Sequence, residues 1–117
     1  MELPATIDLL RHIYIAFNRR EIDTVLAAMH PDVDWPNGWE GGRVHGHVAV
    51  REYWTRQFKA VSSQVEPQSF VTEEDGRIVV KVHQVVHDVS GKLLSDSMVE
   101  HVYSIDKGLI RKMEIRA

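Results

Sequence analysis

The chain has 117 residues, 14 basic and 17 acidic, for a formal net charge of -3, and it contains no cysteine. A length of this order holds one core and little else, so a single domain is expected. Charges of both signs spread along the chain offer no basic patch for a phosphate backbone, and the missing cysteines exclude disulfide staples, thiolate nucleophiles and cysteine-based metal clusters.

The composition is that of an ordinary soluble domain, and cysteine-free chemistry fits a reducing cytoplasm. The start, Met1-Glu2-Leu3-Pro4, has an early acid and no unbroken apolar run. Neither an export signal nor a membrane anchor is therefore expected. Ile7, Leu10, Ile13, Tyr14 and Phe17 repeat at three-to-four spacing and predict a first helix over 4–18. The same spacing in Ile22, Val25, Leu26 and Met29 predicts a short second helix, stopped at His30-Pro31 because proline disfavours helical geometry in the preceding residue.

Val33 to Pro36 reads as a short strand. A glycine-rich loop with Trp39 follows, and then a third helix over 47–61, with Val50, Trp54, Phe58 and Val61 on one face. Beyond it the runs Phe70–Thr72, Ile78–Val89, Leu93–Ile105 and Leu109–Ile115 are β-branched and separated by Asp75-Gly76, Ser90-Gly91 and Lys107-Gly108, the pattern of a hairpin meander. Three helices and then a meander predict an α+β domain with helices on one face of an antiparallel sheet.

The segments Ala16-Phe17-Asn18, Glu21-Ile22-Asp23, His30-Pro31-Asp32-Val33-Asp34-Trp35 and Gly46-His47-Val48-Ala49-Val50-Arg51-Glu52-Tyr53-Trp54 resemble the SnoaL-like, ketosteroid isomerase-like branch of the nuclear transport factor 2-like superfamily. The stretch His101 to Ile110 is similar to that superfamily's last hairpin. The resemblance covers nearly the whole chain. It implies a cone made by a curved sheet wrapped around the first helix, a small-molecule pocket in the open end, and homodimers formed through the outer face of the sheet. Such a fold does not by itself name a reaction.

Strand alternation puts Val79, Lys81, His83, Val85, His87 and Val89 on one face, and Ser95, Ser97, Val99, His101, Tyr103 and Ile105 on one face of the next strand. Guided by the isomerase pattern, in which the position matched by His101 holds an enolate oxygen, His83, His87, His101 and Tyr103 are placed inside the cone. Histidine suits acid-base work because its pKa lies near neutrality. His101 is the candidate proton-transfer group, with His83 and His87 orienting the substrate. The isomerase's other two positions fall on Ile13 and about Asn37, so its complete apparatus is not carried over. Tyr14 sits one helical position, about 100°, off the matched direction.

An epoxide hydrolase arrangement would need Asp34, Asp96 and Arg111 in the pocket, and alternation turns both aspartates away. Three converging histidines would also suit zinc or iron, but no acidic ligand accompanies them, and no metal or cofactor is assigned. Tyr14, Trp35, Asn37, Trp39, Tyr53, Trp54, Val85, Val99, Tyr103 and Met113 form the candidate ligand-binding set, with Trp39 as a lid. The resulting expectation is a small-molecule-binding domain that acts without a cofactor on an apolar or aromatic substrate. The alternative is a non-catalytic module whose cone is filled by Met98, Met113 and Trp54.

Overall fold

A computed structural model describes residues 2–116. Its elements in chain order are α1 (Glu2–Asn18), α2 (Ile22–Ala27), β1 (Met29–Pro36), β2 (Arg43–His45), α3 (Gly46–Ala60), β3 (Val61–Thr72), β4 (Ile78–Asp88), β5 (Leu93–Asp106) and β6 (Leu109–Arg116). The class is α+β, with one six-stranded sheet in the order β2-β1-β6-β5-β4-β3.

Four of these elements differ from the sequence reading. Met29 leaves the second helix and opens β1, since Ala28 caps α2 and the chain ahead of Pro31 runs extended. The sheet is not wholly antiparallel: β1 runs parallel to β6, and their register shifts between Met29 and Asp34, the stretch that holds Pro31. A residue without an N–H is tolerated where the ladder is irregular. A short strand, β2, pairs with β1 through Asp34 and His45. Finally, Val61 begins a strand of 12 residues instead of ending a helix.

Helix α3 touches β1 and β2 at one side of the sheet and β3 at the other, while α1 packs on β3. Contact with strands at opposite ends of the order requires the sheet to curl around the helices, and it remains unclosed. The resulting core takes Leu10, Ile13 and Tyr14 from α1, Val50 and Trp54 from α3, and Ile78, Val80 and Val82 from β4. Each fully buried aliphatic side chain of this kind stabilises the fold by about 1.5–3 kcal/mol. The long edge strand β3 is held to α1 by Asn18. Its amide donates to the Val65 carbonyl at 2.8 Å and accepts from the Val65 N–H at 2.9 Å, as a neighbouring strand would.

Candidate functional site

Between the helices and the inner face of the sheet lies a cavity of about 680 Å³, a size that suits a small organic ligand. Register determines which side chains reach it. Val80 pairs with His101 and Ile78 with Tyr103, so the buried even-numbered residues of β4 share the inner face with His101 and Tyr103. The odd-numbered residues face the other way.

The sequence-based placement of His83 and His87 inside the cone is therefore corrected. His83 lies on the outer face, where its Nε2 meets Asp96 Oδ1 at 2.7 Å. His87 pairs with the exposed Ser62 and lies beyond the cavity lining, as does Val85. The three strand histidines do not converge, and among the described residues no group of three or more metal-ligating side chains is found. Lys81, exposed on that same odd-numbered face, was the available sign of its orientation.

Asn37 is also displaced from its expected role. Its Oδ1 accepts the N–H groups of Trp39 and Glu40, and its Nδ2 donates to Glu40 Oε1 at 2.9 Å. The side chain thus folds the 37–42 loop instead of facing the cavity, the usual habit of asparagine at a turn. Val99 is on the inner face and packs against the core without lining the cavity. Met98 is 47% exposed and cannot fill the cone. Of the aspartates weighed for epoxide chemistry, Asp34 is held by Arg43 and Asp96 by His83, while Arg111 donates to the Asp32 carbonyl.

Tyr14, Trp35, Trp39, Tyr53, Trp54, His101, Tyr103 and Met113 do line the cavity. The Tyr14 hydroxyl points to the site, because the apolar stripe of α1 is wide enough to aim both Ile13 and Tyr14 inward. Tyr103 Oη donates to Tyr14 Oη at 2.8 Å, and Tyr14 Oη lies 2.8 Å from His101 Nδ1. In one arrangement Tyr14 accepts from Tyr103 and donates its single proton to an unprotonated Nδ1. The imidazole proton is then on Nε2, for which the described residues supply no partner.

Burial sets the charge state of this chain. It lowers the His101 pKa to about 4, so the imidazole is neutral at physiological pH. Burial also raises both tyrosines. Tyr103 adds to the rise at Tyr14, while their hydrogen bond offsets part of the rise at Tyr103. The aromatic walls continue from this group: Trp35 contacts Tyr103 and meets Trp54 edge-on, with centroids 5.6 Å apart, and Phe17 meets Trp54 at 5.4 Å.

The loop carrying Trp39 is fastened. Glu40 receives Arg56 Nη2 at 2.9 Å and the Asn37 amide at 2.9 Å. Sequence reading missed Gln57, Ser63 and Gln84, three polar side chains of the lining. Gln57 falls three residues after Trp54 on the apolar face of α3, and a polar residue in such a stripe is the signal that could have found it.

A family model described as a SnoaL-like domain matches residues 10–113. Among curated proteins none matches the chain. A nuclear transport factor 2-like protein of unknown function from Burkholderia pseudomallei is 28% identical, with 95% of this chain and 88% of that one covered and a TM-score of 0.83. The structure of TerC co-crystallized with polyporic acid is 26% identical, covers 94% of this chain and 88% of its own, and has a TM-score of 0.82. A candidate polyketide cyclase from Xanthomonas campestris shares the fold at 22% identity, with 98% and 91% covered and a TM-score of 0.82.

Proposed function

Because the chain belongs to the SnoaL-like domain family, matched over residues 10–113, we propose that it binds a small, flat, largely apolar molecule in the cone and holds one of its oxygens at His101 Nε2. The observation that carries this reading is the chain from Tyr103 through Tyr14 to His101, buried at one end of an aromatic-walled cavity. It orients the imidazole and leaves a single N–H for the ligand. The structure of TerC with polyporic acid supports a ligand of this flat kind.

The same chain supports cofactor-free proton transfer. In the other neutral tautomer Nδ1–H donates to Tyr14, whose own proton turns to Tyr103, and Nε2 is an acceptor. His101 Nε2 can then take a proton from a carbon acid, forming an imidazolium beside the enolate that offsets its charge, and return that proton to another atom of the same molecule to restore the neutral ring, which is isomerase-type or cyclase-type chemistry. One observation favours a second, non-catalytic reading: no carboxylate of the described residues converges on His101, since Asp34 and Asp96 are engaged elsewhere and Glu114 lies 3.6 Å from Arg77.

The deciding experiment incubates the protein with 1-tetralone in heavy water and follows deuterium entering beside the carbonyl. Incorporation above the buffer rate, lost in His101→Gln while binding persists, is the expected result. Binding without incorporation would assign the non-catalytic reading. The reading further includes a cytoplasmic homodimer joined through the sheet's outer face, where Val71 and Met98 leave apolar surface in solvent.

A further inference from the structure

The cavity has a second polar end. Val80, beside His101, and Val86, beside Ser63, are six residues apart on β4, on the order of 20 Å along the strand. At the Val86 end, Gln57 is one helical turn before Val61, whose N–H donates to the Gln57 carbonyl. Gln57 is only 8% exposed, its side chain lines the cavity, and its Oε1 is sealed from solvent with no hydrogen-bond donor. Ser63, 1% exposed, brings a hydroxyl to the same end of the lining.

A buried amide oxygen without a donor is unusual in a folded protein and calls for a group to complete it. From this, and resting on the reading of the cavity as a ligand site, we infer that the ligand has two polar ends: a carbonyl oxygen for His101 and a remote hydroxyl for Gln57. The choice of hydroxyl follows from the amide. No hydrogen bond among the described residues fixes either face of the Gln57 carboxamide, so a half-turn about its last bond exchanges the oxygen for the nitrogen. A hydroxyl donates to the oxygen or accepts from the nitrogen, so it satisfies both orientations. A ketone suits only the nitrogen, and an ammonium only the oxygen. Trp35 and Trp54, packed edge-on against each other, give the lining apolar aromatic surface for the body of the ligand.

Flavone and 4′-hydroxyflavone test this as a matched pair, because each carries the ketone on a flat frame and only the second adds the remote phenol. Calorimetric titration of the wild-type protein is expected to show 4′-hydroxyflavone binding about tenfold tighter than flavone. Gln57→Leu should bring the ratio to about one, whereas His101→Gln should weaken both ligands alike and keep the ratio. Gln57→Leu removes an unpaired buried amide, so its melting temperature should equal or exceed the wild type's. Gln57→Met repeats the test with another unbranched chain. Flavone bound with no preference for the hydroxyl, or a preference that survives both substitutions, would overturn the inference alone. Failure of both flavones to bind would overturn the ligand-site reading and the inference with it.

Discussion

His101 couples the stability of the fold to pH in a direction that can be worked out. Its pKa is lowered from 6.5 to about 4, so between these values the unfolded chain takes up a proton that the folded chain refuses. At pH above 6.5 both states are neutral and the residue contributes no slope. As pH falls from 6.5 to 4 the folded state loses up to about 3 kcal/mol relative to the unfolded one. Urea midpoints of wild type and His101→Gln should therefore diverge in slope across that window and run parallel above it. The hydrogen-bond chain makes a second prediction. Tyr14→Phe strips partners from both Tyr103 and His101 and should cost about 1–3 kcal/mol, whereas Tyr103→Phe removes only the chain's end and should cost less, on the order of 1 kcal/mol. Equal losses in urea unfolding would contradict the ordered chain. At this scale the sequence showed which residue types could do chemistry, but not that Tyr14 and His101 meet, because their contact spans 87 positions.

Element boundaries were legible where one periodicity ruled and hidden where two overlapped. Val61 continues the apolar face of α3 at helical spacing, yet it also begins the alternation of buried Val61, Ser63 and Val65 with exposed Ser62, Gln64 and Glu66. A serine at a buried position concealed that alternation, and most of β3 was missed. In β4 the concealment was of phase, since valines occupy both faces and only the exposed Lys81 distinguishes outside from inside. The loop between β1 and β2 carries its own prediction. With Glu40 paired to Arg56 and the Trp39 N–H bonded to Asn37 Oδ1, Trp39 is a fastened wall. Trp39→Ala should weaken binding of a flavone probe by about tenfold while shifting the melting temperature little, because Trp39 is 42% exposed. Unchanged affinity would remove this residue from the site. Gly46, at φ +85° in the first position of α3, occupies backbone space that favours glycine. Gly46→Ala is expected to cost about 1 kcal/mol, measured by denaturant unfolding.

Across the whole molecule, the order of helices and strands and the α+β class were readable because amphipathic spacing and glycine-marked turns are local. The parallel β1–β6 pair, by contrast, joins Met29 to Ile110 across most of the chain, which no local pattern encodes. The sheet thus has an inner face given to a cavity and an outer face with exposed Val71, Leu93 and Met98. Met98→Glu should turn the proposed dimer into a monomer in analytical ultracentrifugation and leave flavone affinity within about threefold, since interface and cavity lie on opposite faces. An unchanged sedimentation coefficient would show that this face joins nothing.

The way the two outermost strands are finished has a further consequence, for misassembly. Strand β2 has only three residues, and β3 offers a proline at 67, a register shift beside it and the Val65 backbone already taken by Asn18. A chain so finished presents few free backbone groups on which another chain could lengthen the sheet. Asn18 is therefore a guard against fibre growth as well as a fastening for α1. Asn18→Ala should shorten the lag of thioflavin-positive aggregation under conditions where the fold is still intact.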